Sequence, residues 1–202
     1  MVIGLLAIAA IPTITGVGQA VSAQKKQNAA VKEQVKFHLT ALVPSEETGL
    51  REVGVCVLKG GKMLLNLTEH ETDDHKFCGY YFTYPSPEQD RGLVSTVSDE
   101  PPMLNWIYVN RETGAVQHGG RKETLGHVIG PWGWNGDETL LTLEGADGAF
   151  FAHYEDDDDG GWALYWDSDA VGLPDRTASC MRVKLRRRPL LGVESRYVRG
   201  GA

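Results

Sequence analysis

The sequence predicts a mainly β fold, an antiparallel sandwich or barrel of about nine or ten strands, preceded by a hydrophobic N-terminal segment and a short helix. Short runs of alternating apolar side chains recur after residue 36, and glycine- or proline-containing turns separate them. Helix-forming composition is concentrated in residues 24–36. Many short strands with frequent turns are typical of sandwiches and barrels. We therefore divide the chain into a hydrophobic signal or anchor segment (1–23), a linking helix (24–36) and a single β-rich domain (37–202).

The N-terminal segment carries no charged side chain from residue 1 to residue 23. Residues 2–11 are apolar enough to enter a membrane or a signal-recognition groove. The small residues at 21–23 suit cleavage of a secretory signal. In contrast, the segment lacks a basic start and is followed by Lys25 and Lys26, which favours an uncleaved anchor. Two localisations stay open: a secreted protein, or one that associates with a membrane through residues 1–23.

Ten strands are predicted in the domain. In the first, Phe37, Leu39, Ala41 and Val43 share one face, and Pro44 is expected to end it. Gly60 and Gly61 predict a hairpin between the second and third strands. In chain order, the predicted strands are 37–43, 52–58, 62–67, 79–84, 104–109, 115–118, 139–143, 149–154, 162–167 and 181–185.

The later strands are separated by recognisable turns. The aromatic run 79–84 is ended by Pro85. Residues 110–114 form a turn in which Gly114 suits the positive φ of a bulged hairpin. The acidic run 155–161 is predicted to be the tip of a hairpin. These turns predict antiparallel neighbours along the chain.

The net charge of −7 argues against nonspecific nucleic-acid binding, because phosphate contacts require a concentrated positive surface. The charge is distributed unevenly. No Lys or Arg lies between Lys122 and Arg176, whereas residues 182–199 carry seven. We expect these acidic and basic stretches to attract one another, with the basic run 184–188 forming part of a strand.

Tryptophans recur at intervals near thirty residues, at Trp106, at Trp132 and Trp134, and at Trp162 and Trp166. Such spacing is compatible with an internal repeat. The flanking residues do not align between these positions, so the sequence does not predict a trefoil or a propeller.

Four segments resemble a family of small filamentous-fungal (ascomycete) proteins of unknown function. The segments are Leu104–Trp106, His118–Lys122, Leu125–Trp134 and Lys184–Gly192. The resemblance spans nearly the whole chain and implies a fungal source. It implies no activity and no functional residue, and the three Gln-x-Trp repeats of ricin-B-type lectins are absent.

The loop from His127 to Asp137 is the predicted ligand-binding site. Indoles on an irregular loop are costly to expose, and Trp132 and Trp134 could stack against a sugar or another flat apolar ligand. Asn135 and Asp137 could then accept or donate hydrogen bonds to its hydroxyl groups. The alternative is that both indoles plug one end of a barrel.

No metal or cofactor site is predicted. The His- and acid-rich run 69–75 has no established zinc spacing, and no Gly-x-Ser-x-Gly, phosphate-loop or His-Glu-x-x-His motif occurs. We therefore expect a non-enzymatic binding or interaction domain for carbohydrate or a flat apolar ligand. The alternative is a small enzyme with an enclosed cavity, either a glycoside hydrolase or a metabolite cyclase or isomerase.

Two further expectations concern covalent chemistry. Asn66 begins an Asn-Leu-Thr triplet, which would be an N-glycosylation acceptor if the chain is secreted. Cys56, Cys78 and Cys180 are too few and too widely spaced for a disulfide framework. They are expected to be buried small apolar side chains.

Overall fold

The structure is a computed structural model that describes residues 35–47, 49–68, 74–99, 102–156, 161–167 and 179–190. Every described residue belongs to one compact unit, Gln34–Ala202. The predicted segment 1–23 and residues 24–34 of the predicted helix lie outside the described residues. Within the described ranges, no helix is long and apolar enough to span a membrane.

Thirteen strands form the regular structure of the described residues, which include no helix. In chain order they are β1 (Phe37–Ser45), β2 (Gly49–Lys59), β3 (Lys62–Leu67), β4 (His75–Lys76), β5 (Cys78–Thr83), β6 (Arg91–Asp99), β7 (Pro102–Val109), β8 (Val116–Gly119), β9 (Trp132–Trp134), β10 (Leu141–Leu143), β11 (Phe150–Glu155), β12 (Gly161–Trp166) and β13 (Cys180–Pro189).

Nine of these strands close into an antiparallel barrel. Their order is β12-β11-β13-β1-β5-β6-β7-β8-β3, and β3 pairs back to β12 through Leu65 opposite Trp162 and Leu64 opposite Ala163. Strand β2 pairs with β1, β3 and β4, while β9 and β10 form a separate two-stranded ribbon. The prediction of a mainly β antiparallel barrel is confirmed. The sandwich alternative is wrong, because the main sheet closes on itself.

The barrel core is built by the inward face of each strand. The face predicted for β1 is confirmed, since Phe37, Leu39 and Ala41 are fully buried and Val43 is partly buried against the core. Leu185 of β13, opposite Ala41, is also buried. Burial of these apolar side chains supplies the main stabilising free energy of the fold, at roughly 25 cal/mol for each Å² removed from water.

Predictions and structure differ at four strands, β1, β4, β6 and β9. Pro44 does not end β1, which continues to Ser45 opposite Gly49; Pro44 is exposed and lies beyond the register shift between Ala41 and Leu42. A proline is tolerated where the ladder does not need its N–H. The nine-residue strand β6 was missed, and β4 and β9 are too short to display a period of two.

The predicted glycine turns are confirmed. Gly60 and Gly61 have φ of 56° and 79° and connect β2 to β3, while Gly114 has a φ of 74° between β7 and β8. Only glycine adopts such dihedral angles without steric cost. The tip of the β11–β12 hairpin lies largely outside the described residues.

The expected attraction between the acidic and basic stretches is realised by one described ion pair. Lys184 Nζ lies 3.4 Å from Asp147 Oδ1. A second basic residue of β13, Arg188, instead pairs with Glu52 of β2. Both pairs are partly exposed, so each contributes at most about 1 kcal/mol.

All three cysteines are free. Cys56 is buried, as predicted, and burial raises the pKa of its thiol. Cys78 and Cys180 are only half-buried. An uncharged thiol in the core behaves as a small apolar side chain.

Candidate functional site

A cleft of about 260 Å³ opens beside the turn between β7 and β8. Its walls are residues 109–114, Val128 and residues 165–167. Apolar and aromatic side chains alternate with polar and charged ones around it. We refer to this space and its lining residues as the cleft, and the cleft is the candidate functional site.

The turn forms a rigid polar wall of the cleft. Asn110 N donates to Ala115 O at 2.9 Å, and Gly114 N donates to Asn110 O at 2.8 Å. Asn110 Oδ1 accepts hydrogen bonds from the backbone N–H groups of Glu112 and Thr113 at 2.9 and 3.2 Å. Because the backbone is held by this asparagine, the side chains at the tip stay exposed and available.

The opposite wall is made by the end of β12. Trp166 N donates to Gly114 O at 2.9 Å, and an isolated bridge joins Ala115 to Tyr165. The Trp166 side chain is 8% exposed, and its indole Nε1 is buried without a hydrogen-bond partner among the described residues. The indole therefore packs in the core, and the Trp166 backbone holds this end of β12 against the turn.

The charged groups of the cleft have both signs. Arg111 Nε donates to Gly126 O at 3.1 Å, which ties its side chain to the neighbouring loop. Glu112 and Asp167 supply carboxylates at the same cleft. Val109 and Val128, joined by two backbone hydrogen bonds of 2.8 and 3.0 Å, form its apolar base. This combination of an apolar wall with a few polar anchors is usual in small-molecule sites.

His127, a predicted site residue, lies next to the cleft. Its ring stacks on Tyr108 with centroids 5.3 Å apart and an interplanar angle of 14°. Its Nδ1 accepts a 3.3 Å hydrogen bond from Arg111 N. Burial, followed by the charge of Glu123, raises the pKa of the Tyr108 hydroxyl. His127 therefore supports the turn that forms the cleft.

Trp132 does not lie at a ligand-accessible surface. It is 1% exposed, and its ring stacks on Phe150 with centroids 6.3 Å apart and an interplanar angle of 15°. The structure therefore corrects the expectation that Trp132 forms part of an exposed platform. The barrel core recruits this indole because it fills a large interior volume, as the alternative interpretation anticipated.

Trp134 is half-buried at the inner edge of the same ribbon. Its ring contacts Phe37 and Tyr81 edge-on at centroid distances of 4.8 and 5.2 Å. The guanidinium carbon of Arg187 lies 4.9 Å from its centroid. The two tryptophans of the predicted ligand platform therefore have different environments. Trp134 lies beside the Arg187 cation, and Trp132 lies inside the core.

Asn135 and Asp137 organise the β9–β10 turn. Asn135 Oδ1 accepts from the backbone N–H groups of Thr139 and Leu140 at 3.1 and 3.0 Å. Asp137 Oδ1 accepts from Thr139 N and Thr139 Oγ1 at 3.1 and 2.5 Å. These bonds, led by the Thr139 hydroxyl, lower the pKa of the Asp137 carboxyl. Both side chains have structural partners that a ligand would have to share.

The structure also corrects the expectation at Asn66. This residue is 6% exposed within β3, opposite Val55. A glycan requires a solvent-facing side chain, so Asn66 is no acceptor in the folded domain. For the His- and acid-rich run, residues 69–73 lie outside the described ranges. Among the residues that are described, no group of three His, Cys, Asp or Glu side chains converges as a metal site would.

Sequence reasoning missed most of the cleft. The tip residues Arg111, Glu112 and Thr113 were interpreted only as a connection, and Tyr165 and Trp166 only as a strand. The available signal was the cluster of charged side chains in a short turn whose asparagine and glycine already satisfy the backbone. The approach of this turn to β12 depends on barrel closure, which sequence alone did not reveal.

Comparison with known proteins identifies a matching family. A family model described as a fungal beta-trefoil domain matches residues 16–190. No curated protein and no solved structure matches this chain. The resemblance to a fungal family is confirmed, and the expectation against a trefoil was wrong. The tryptophan spacing does not display the repeat because the indoles occupy different environments. Trp132 lies in the core, whereas Trp106 lies against Gly92, where any Cβ would collide with its ring.

Proposed function

This chain belongs to the fungal β-trefoil domain family, and from that premise we propose that it is a non-enzymatic binding domain whose cleft takes a carbohydrate. β-Trefoil domains commonly bind carbohydrate. Membership of the family supports a β-rich binding domain in general. The choice of ligand and of site rests on the cleft.

The observation that carries this proposal is the presence of the Tyr165 ring and of the Glu112 and Asp167 carboxylates around one cleft. A sugar ring combines C–H faces, which pack on aromatic side chains, with hydroxyl groups that both donate and accept hydrogen bonds. Tyr165 supplies aromatic surface, while Glu112 and Asp167 supply acceptors.

The size of the cleft favours a small polar ligand over an extended apolar one. Its volume of about 260 Å³ falls below the roughly 300–1,000 Å³ of sites that enclose drug-sized ligands. A single sugar unit, at the end of a chain or free, suits such a space. The enzyme alternative has less support, because the cleft is open to solvent and its histidine neighbour, His127, is engaged with Tyr108 and Arg111.

A glycan array probed with the full-length chain tests the proposal, followed by calorimetry with the best-binding saccharide. We expect Glu112→Ala and Asp167→Asn each to weaken binding about tenfold, equivalent to roughly 1.4 kcal/mol. Glu88→Ala is the matched control, since this exposed carboxylate lies outside the cleft and its loss should change Kd less than twofold.

Three outcomes would count against the proposal. If the protein bound no glycan, carbohydrate would be rejected as the ligand class. If a planar apolar compound bound more tightly than any glycan, the ligand would be of that class instead. Unchanged affinity in both cleft variants would place the site elsewhere. Shortened oligosaccharides after incubation would show hydrolysis and overturn the non-enzymatic assignment.

We also propose that residues 1–23 act as a signal or as an anchor, and fractionation of the full-length protein in a fungal host separates the two. Loss of about 20 residues from a secreted form, the length typical of a signal peptide, supports the signal. An intact chain in the membrane pellet supports the anchor. Because Asn66 is buried, we expect no glycan on it in either fraction.

A further inference from the structure

Arg187 is a charged residue at an inward-facing position of the barrel. On β13, Val183 and Leu185 point into the core and are 0% and 1% exposed. Arg187 continues this alternation and lies opposite the fully buried Leu39 of β1. An arginine in such a position contradicts the pattern of its own strand, and violations of this kind tend to occur at functional sites.

The Arg187 side chain has aromatic neighbours and no described anionic partner. Its guanidinium carbon lies 4.9 Å from the ring centroid of Trp134 and 5.5 Å from that of Phe37. Its Nε is buried without a hydrogen-bond partner. Among the described residues it forms no ion pair, whereas Lys184 and Arg188 on the same strand pair with Asp147 and Glu52.

Among the described residues, this arrangement leaves the positive charge of Arg187 with aromatic neighbours and without an anion. Stacking on aromatic rings engages the faces of a guanidinium and leaves its N–H groups pointing outward in its plane. Those N–H groups match the two oxygens of a carboxylate. Next to this pair, the Tyr81 ring contacts Trp134 at 5.2 Å.

We propose that Arg187 and Trp134 form a binding site for a carboxylate-bearing ligand, distinct from the cleft and independent of its function. The carboxylate pairs with the Arg187 guanidinium, and the remainder of the ligand packs beside the Trp134 indole. A hexuronic acid fits both requirements, since it joins a carboxylate to a sugar ring with apolar C–H groups. A simple carboxylate meets only the first requirement.

The competing explanation is that Arg187 only plugs the barrel by cation–π contact. The two explanations differ in what Arg187→Met does. Methionine fills a similar apolar volume. If the role of Arg187 is purely structural, Arg187→Met should therefore change the stability little and leave ligand binding unaffected. A binding arginine loses its ligand on the same exchange while the protein stays folded.

The experiment titrates the full-length protein with sodium glucuronate, glucose and sodium acetate in turn. Chemical shifts of the arginine Nε–Hε groups are recorded, with the Arg187 signal assigned by its absence from Arg187→Met. We expect glucuronate to shift the Arg187 signal and to raise the thermal midpoint by a few degrees at saturation. Glucose should leave the Arg187 signal unchanged, whatever its effect on the thermal midpoint through the cleft, and acetate should shift the Arg187 signal at least tenfold more weakly than glucuronate.

Arg186→Gln is the matched control, because it removes a charge from the opposite face of the same strand. It should bind glucuronate within twofold of the wild type, whereas Arg187→Met should bind at least tenfold more weakly and Arg187→Lys should fall between them. Equal shifts of the Arg187 signal by glucuronate and by glucose would overturn the proposal. So would undiminished glucuronate binding in Arg187→Met, whatever the cleft variants show. If acetate and glucuronate bound equally well, the hypothesis that the ligand is a sugar acid would be rejected.

Discussion

The loop from His127 to Asp137 and the turn from Asn110 to Gly114 have exchanged the roles that their sequences indicate. The loop carries two indoles and was predicted to be a ligand platform. Instead, it places Trp132 in the core and Trp134 at the inner edge of the barrel. The turn was predicted only to connect two strands, and it forms a wall of the cleft.

The exchange has a physical cause. A barrel interior needs large apolar side chains to fill it, and an indole on a loop that can fold back is used for that purpose. The short turn has no apolar side chain to contribute, and Asn110 satisfies its backbone. Its polar side chains therefore stay at the surface. Apolar bulk in a loop is thus weak evidence for a ligand site.

Among the variants that test this contrast between the loop and the turn, we expect Trp132→Ala to lose the most stability. Removing a fully buried, stacked indole should lower the free energy of unfolding by about 3–5 kcal/mol. Urea unfolding followed by circular dichroism measures the loss. Trp132→Phe keeps a ring against Phe150 and should lose less. Wild-type stability with selective loss of glycan binding in Trp132→Ala would restore the loop as the platform.

Two glycines, one in each region, are expected to respond differently to alanine. Gly114 has a φ of 74°, and a Cβ there would lie 3.2 Å from Trp166 O. Gly114→Ala should therefore cost about 1–2 kcal/mol of stability. Gly136 has open space around it, so Gly136→Ala should stay within about 0.5 kcal/mol of the wild type. Thermal unfolding of the pair measures the difference, and equal losses would contradict the special geometry of the turn.

The two turn asparagines should separate stability from binding. Asn110 and Asn135 each accept two backbone hydrogen bonds, so alanine at either position should cost about 1 kcal/mol. Only Asn110→Ala should also weaken carbohydrate binding, because only Asn110 lines the cleft. Calorimetry on both variants tests this expectation. A comparable loss of affinity in Asn135→Ala would mean that the loop contributes to the same site.

The smallest effect concerns pH and the strand that follows the turn. Burial, followed by the charge of His75, lowers the pKa of His118 on β8. The unfolded chain then binds the proton more readily, so the stability linked to His118 is complete above about pH 6.5 and declines as the pH falls below it. Relative to His118→Gln, the wild type should lose stability between pH 7 and pH 5, a range that spans that ordinary pKa. A constant difference between the two proteins would contradict this assignment.

Much of the local structure could be predicted. The inward face of β1 and the hairpin at Gly60 and Gly61 follow from period-two alternation and from the φ preference of glycine. Strand β6 could have been recognised, since Val94 to Val97 are mostly β-branched. The extension of β1 through Pro44 could not, because it depends on the register shift opposite β2.

The candidate site could be predicted only in part. His127 was correctly expected in a loop, and the structure places it beside the cleft through contacts with Tyr108 and Arg111. The contribution of Trp166 to the cleft follows from its bond to Gly114, about fifty positions away in the sequence. Patterns within one strand contain no information on such a contact.

The sequence by itself determined the antiparallel β character, the turns at its glycines and the inward faces of its strands, because these depend on backbone sterics and on neighbours one or two positions away. Only the tertiary structure decided that β3 meets β12, that Trp132 is buried while Trp134 lies beside Arg187, and that a turn forms the cleft. These outcomes depend on closure of the barrel. Closure joins residues about a hundred positions apart and leaves a limited interior volume for which the side chains compete.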